Sequence, residues 1–70
     1  MKISSRNQLK GTVKMIKKGP VNSEITVSLP GDIEVVSVIT TYSTEKMNLR
    51  EGLPVYVLIK ASEVMIGVDD

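Results

Sequence analysis

Strict alternation of apolar and polar residues is the clearest pattern in the chain. From Ser23 to Leu29, Ile25, Val27 and Leu29 alternate with Glu24, Thr26 and Ser28. This is the two-residue period of a strand with one face turned inward. Upstream, Gln8 to Lys17 alternates in the same way, with Leu9, Val13 and Met15 expected on one face and Lys10, Thr12 and Lys14 on the other, and with Gly11 marking a bulge or bend. Downstream, Pro30-Gly31-Asp32 reads as a tight hairpin turn into a third strand, Ile33 to Thr40, with Ile33, Val35 and Ile39 on one face. Val36 and Val38 make its second face apolar too. Val55 to Ile59 and Val64-Met65-Ile66 share that double-sided character and complete an expected set of five strands. Between the third and fourth, Ser43 to Leu49 reads as one or two helical turns, with Ser43 a candidate N-cap and Asn48 or Gly52 near the stop. Three strands, a short helix and two strands is the layout of an all-β, five-stranded OB-like Greek-key barrel.

Length changes the meaning of the doubly apolar strands. Seventy residues make a single domain, 1–70, and a domain of this size hides only about 60% of the surface its unfolded chain exposes. Two separate cores are out of reach, so the second apolar face is expected to meet another subunit. Composition then narrows the chemistry. There is no cysteine and no histidine, which removes disulfides, thiolate metal sites, a cysteine nucleophile and the commonest general base. No serine has a histidine partner and no pair of acids has a glycosidase or aspartic-protease context, so the expectation is a binding protein and not an enzyme. The longest apolar run, Val55 to Ile59, is far shorter than the roughly 20 residues of a bilayer span, and MKISSRNQLK lacks the apolar core of a signal peptide. A cytoplasmic, unprocessed protein with no membrane partner is expected.

The formal charge of +1 conceals an asymmetry. Lys2, Arg6, Lys10, Lys14, Lys17 and Lys18 fall in the first eighteen residues with no acid among them, whereas the remainder holds three bases and eight acids. A basic segment of this kind suits an anion, a nucleic acid or the acidic side of a neighbouring copy. Hydrogen-bond donors cluster at three places, Ser4-Ser5-Arg6-Asn7, Thr40-Thr41-Tyr42-Ser43-Thr44 and Lys60-Ala61-Ser62, each at the edge of an expected strand. Together they form a donor set suited to a small tetrahedral oxyanion. Each also has an ordinary structural reading: a polar chain end, a helix cap, and a solvated strand edge followed by a turn. Gly19 to Ser23 reads equally as a plain loop.

The order of these fragments resembles that of the molbindins, small molybdate- and tungstate-binding proteins built from the Mop domain. Ser4-Ser5-Arg6-Asn7-Gln8-Leu9-Lys10-Gly11 resembles the family's SARNQLKG opening, Gly19-Pro20-Val21-Asn22-Ser23-Glu24 its GPVNSE loop, and Val38-Ile39-Thr40 with Ser43 its ITxxS segment. Leu49-Arg50-Glu51-Gly52 and Ile59 to Ile66 resemble its LxEG and IKA(S/T)EVMI stretches. The resemblance implies an OB-like fold assembled as a homo-hexamer, a trimer of dimers, that binds molybdate or tungstate at subunit interfaces for intracellular molybdenum storage and homeostasis. Carried over residue by residue, it implies a main site of Ser4, the Ser5 amide, Arg6, Thr40, Ser43, Lys60 and the Ala61 amide, and a second site at Val21, Asn22 and Ser23. At residue 5 the family usually has alanine, and Ser5 adds a hydroxyl whose expected effect is on selectivity. No organic cofactor is implied and no side chain binds the metal centre directly.

Two other readings compete. A nucleic-acid-binding OB module is suggested by Lys10, Thr12 and Lys14 on one face of the first strand, but single-strand binders use aromatic platforms and only Tyr42 and Tyr56 are present. No nucleic-acid partner is therefore expected. Similar modules also occur at the ends of molybdate transporters and regulators, and a chain running from Met1 to just past the last expected strand is read here as free-standing.

Overall fold

A computed structural model of the chain describes residues 1–69. Four strands, β1 (Asn7–Lys18), β2 (Asn22–Leu29), β3 (Ile33–Thr40) and β4 (Pro54–Ile59), form one antiparallel sheet in the order β3-β2-β1-β4. A short helix, α1 (Thr41–Lys46), lies between β3 and β4, and a 3-10 turn (Ala61–Glu63) follows β4. The mostly-β character, the helix position and the OB-like course agree with the sequence reading. The fifth strand does not form among the described residues. Val64-Met65-Ile66 runs on without a pairing strand, and Met65 and Ile66 are 92% and 88% exposed. Nor do β3 and β4 pair to close a barrel within the described residues.

The sheet is organised by the long strand β1, which divides its length between two partners. Residues Asn7 to Thr12 pair with β4, and Thr12 to Lys18 pair with β2. Gly11 sits at this hand-over, where a Cβ atom would stand 2.6 Å from the Ser28 carbonyl oxygen and 2.7 Å from Val27 Cγ1. Only glycine permits that approach. The register irregularity lies three residues later than Gly11: Val13 faces Val27 and Met15 faces Thr26, so Lys14 is the extra residue of a bulge. A bulge reverses which residues face inward. Val13 is 2% exposed and Ile16 packs against the core, while Met15, expected beside Val13, is 53% exposed.

Val13, Ile25 and Val27 form the buried centre, with Ile16, Leu29, Ile39, Leu49, Leu53, Val55 and Val57 packed around it. Ile25 and Val27 are buried and Leu29 half-buried, as the alternation in β2 predicts, but Thr26, expected on the opposite face, is only 5% exposed. Ile33, expected on the inner face of β3, is exposed at the strand's start, while Val35 and Ile39 are half-buried. The opposite faces of β3 and β4 carry Val36, Val38, Tyr56 and Leu58, all exposed, with Val38 at 66%. At the β2–β3 hairpin, Gly31 and Asp32 adopt positive φ, which closes the three-residue turn between the paired Leu29 and Ile33.

The helix begins earlier than Ser43. Thr40 is the N-cap, its Oγ1 accepting from the Ser43 amide at 3.0 Å. Several residues from Thr40 to Thr44 have capping hydroxyls, and extended backbone at Thr40, the last residue of β3, selects it. At the other end Asn48 takes a left-handed conformation (φ 52°). Its amide donates to Glu45 and that of Leu49 to Thr44, the paired bonds of a Schellman stop, so Asn48 and not Gly52 ends the helix.

Candidate functional site

The fold brings together two segments nearly sixty residues apart. Asn7 pairs with Ile59, so the residues before β1 and those after β4 leave the same end of the sheet side by side. Ser4, Ser5, Arg6, Lys60 and Ala61 line one shallow depression of about 590 Å³, joined by Ile3, Leu58 and Ser62. Ile3 and Leu58 contribute apolar surface, and Ser62, outside the expected site, adds a hydroxyl.

Charge pairing leaves cations free of an acid partner at this end, as it does at Lys2, Lys10, Lys17, Lys46 and Arg50, among the described residues. Lys14 pairs with Glu34 and Lys18 with Glu45, so two of the bases in the first eighteen residues lie beside acids. Arg6 and Lys60 have no acid partner among the described residues, and both face the depression. Two uncompensated cations flanked by hydroxyls and amides make a site for an anion with several acceptor oxygens.

Thr40 and Ser43 lie elsewhere. Thr40 pairs with Asn22, and Lys18 at the end of β1 pairs with Ser23, which places Thr40 at the opposite end of β1 from Asn7. The contour of β1 between these ends is about 36 Å at the usual strand rise. Within the cap, Thr40 Oγ1 donates to Ser43 Oγ at 2.9 Å, leaving the Ser43 hydroxyl hydrogen without an acceptor among the described residues. The structure thus groups five of the seven expected main-site residues and sets the other two apart.

At the Val21, Asn22, Ser23 loop, Asn22 and Ser23 line a depression of about 280 Å³ with Lys17, Lys18 and Glu24 among its walls. Val21 does not line it; its carbonyl accepts from the Thr41 amide at 2.8 Å. Ser23 is 1% exposed and its Oγ lies 2.8 Å from Thr41 Oγ1. Because Thr41 gives its hydrogen to the Gly19 carbonyl at 2.6 Å, Ser23 is the donor of this pair. No cluster of three or more acids suited to a metal ion occurs among the described residues.

Sequence reasoning placed Asn7 among the donors and Gln8 in the opening motif, but not their bonds to the backbone of the site. Asn7 Nδ2 donates to the Ile59 carbonyl at 3.2 Å and Gln8 Nε2 to the Ser5 carbonyl at 2.8 Å. Their acceptors are backbone atoms, so no pattern of residue types announces the contacts.

A family model for the TOBE domain matches residues 3–66. A probable molybdenum-pterin-binding protein of Haemophilus influenzae is 41% identical over 69 residues, covering 99% of this chain and 100% of its own. Among solved structures, a molybdate-binding protein from Sporomusa ovata superposes with a TM-score of 0.91 at 40% identity, covering 97% of this chain and 100% of that one. The cytoplasmic molybdate-binding protein ModG, with molybdate bound, superposes with a TM-score of 0.93 at 40% identity over 99% of this chain and 49% of its own. The likeness extends through both segments that build the Arg6–Lys60 depression, and on the strength of the domain match and a relative similar from end to end the chain belongs to the molbindin family of Mop-domain proteins.

Proposed function

We propose that the protein binds molybdate, and also tungstate, as an intact tetrahedral dianion between copies of the chain, in the service of intracellular molybdenum storage and homeostasis. The observation that carries this reading is the presence of Arg6 and Lys60, without acid partners among the described residues, on one depression beside Ser4 and the Ser5 and Ala61 segments. The relatives whose names state molybdate binding support the choice of anion.

Recognition here is hydrogen bonding and charge compensation, with no bond made or broken. Arg6 and Lys60 attract any dianion, whereas the hydroxyl of Ser4 and the amides of Ser5 and Ala61 fix its orientation. Thr40 and Ser43, at the far end of β1, complete the donor set from a second copy, since one chain's two ends cannot reach a single small anion. A homo-hexamer arranged as a trimer of dimers accommodates that exchange and covers the exposed apolar residues of β3 and β4. The second site, at Val21, Asn22 and Ser23, is proposed to act through Asn22 and the backbone, because the Ser23 hydroxyl is held by Thr41. Residues 1–70 act as one Mop domain, located in the cytoplasm, without an organic cofactor.

Native mass spectrometry with and without molybdate tests the assembly and the ligand together. Hexamers that gain oxyanions are expected, and a folded monomer at micromolar concentration that binds none defeats the reading. In competition at constant ionic strength, tungstate should fall within about tenfold of molybdate, under roughly 1.4 kcal/mol. Sulfate, equally charged but smaller, should be far weaker because it leaves donors unpaired.

One observation favours the nucleic-acid reading: Tyr56 on β4 lies directly across from Lys10 on β1, both exposed. It is a single stacking residue, and Lys14 on the same strand is held by Glu34. Fluorescence anisotropy with single-stranded oligonucleotides should show no binding at physiological salt.

A further inference from the structure

The depression at Arg6 and Lys60 is assembled from a segment before β1 and another after β4, and a side chain between them joins the two. Ser5 Oγ lies 3.1 Å from the Ile59 carbonyl oxygen and 3.2 Å from that of Asn7. Asn7 Nδ2 donates to the same Ile59 carbonyl, and Gln8 Nε2 holds the Ser5 carbonyl from the other side. A hydroxyl carries one hydrogen, so Ser5 Oγ turned toward these carbonyls has none left for an anion in the depression. The Ile59 carbonyl belongs to the planar peptide unit that leads into Lys60. Fixing its direction fixes the plane from which Lys60 and Ala61 depart.

We propose that Ser5 is a positioning residue: its hydroxyl fastens the Ser4–Arg6 segment to the peptide unit before Lys60, and so holds the two donor segments together before an anion arrives. The inference rests on the reading of this depression as an oxyanion site. Donors already in place bind more tightly than donors that must be ordered on binding. Because the hydroxyl touches no anion, its effect is the same for every tetrahedral oxyanion, which separates this role from a direct contact that alters selectivity.

The test compares wild-type protein with Ser5→Ala and Ser5→Thr. Sodium molybdate is titrated calorimetrically, sulfate is measured by competition, and amide hydrogen exchange is followed in the anion-free protein. Ser5→Ala should weaken molybdate binding roughly three- to tenfold, the effect of one ordinary hydrogen bond. The molybdate-to-sulfate ratio should stay unchanged, exchange at the paired Asn7 and Ile59 end of β1 and β4 should quicken, and Ser5→Thr should restore both affinity and exchange. Unaltered affinity or unaltered exchange in Ser5→Ala overturns the inference, as does failure of Ser5→Thr to restore them. A shifted molybdate-to-sulfate ratio overturns it as well, by making the hydroxyl a direct contact. A wild-type protein that binds no oxyanion defeats the functional reading and the positioning role with it, while exchange still reports whether the fastening exists.

Discussion

The two ends of β1 are both rich in hydroxyls and amides, yet they use them differently. At the Lys18 end, Ser23 donates to Thr41, Thr41 to Gly19, and Thr44 to the Thr40 carbonyl, so these three hydroxyls are consumed within the fold, while that of Ser43 keeps its hydrogen free among the described residues. Ser23 and Thr44 are buried there. At the Asn7 end, the side chains of Ser4, Arg6 and Lys60 have no hydrogen-bond or ion-pair partner among the described residues and face an open depression. Residue type does not separate a structural hydroxyl from one available to a ligand. Where its hydrogen goes does, and that depends on carbonyls supplied by other strands.

The largest expected effect comes from disturbing the element that both ends share. Gly11→Val drives a branched side chain into the Ser28 carbonyl, Val27 and Leu29, and should destabilise the protein by about 3 kcal/mol or more, measured by urea denaturation. Stability near wild type would mean that the hand-over of β1 between β4 and β2 is looser than described. The contrast between the ends is sharpened by Arg6→Ala and Lys60→Ala, each expected to weaken molybdate binding by about 1.5–3 kcal/mol while leaving the melting temperature and assembly nearly unchanged. Calorimetric titration and thermal melting report the two quantities separately, and equal affinity in both variants would misplace the site. The opposite signature is expected of Thr41→Val, which strips the Gly19 carbonyl and the Ser23 hydroxyl of a partner. It should cost about 1–2 kcal/mol of stability with little change at the Arg6–Lys60 donors. A large loss of molybdate affinity with intact stability would erase the distinction drawn between the ends.

Much of this was legible in the residue pattern, and the exceptions have identifiable physical sources. The inward set of β2, Ile25, Val27 and Leu29, is read correctly, but Thr26 on the opposite face is covered as well in a strand that lies between two neighbours. The face of Met15 was misread because a bulge is a property of two strands in register, and Lys14 carries nothing that declares it the extra residue. Val64 to Ile66 has a strand's composition but no strand to pair with among the described residues. Of the site, the donor clusters could be seen locally, but their division could not. Lys60 joins Arg6 because Asn7 pairs with Ile59, and Thr40 is kept away because it pairs with Asn22.

That pairing also orders the folding of the chain. The β2–β3 hairpin closes across a three-residue turn, and β1 reaches β2 through a short loop, so these contacts are local and form at little entropic expense. The zipping of Asn7 against Ile59 must instead close a loop spanning most of the chain, and is expected last. The anion depression therefore comes into being with the final docking of β4, and partly folded chains present no complete set of its donors. A ligand held there binds only the finished fold and stabilises it by mass action, increasingly so as its concentration rises above the dissociation constant. In a cell the supply of oxyanion would then govern not only how many sites are filled but how long each chain resists unfolding.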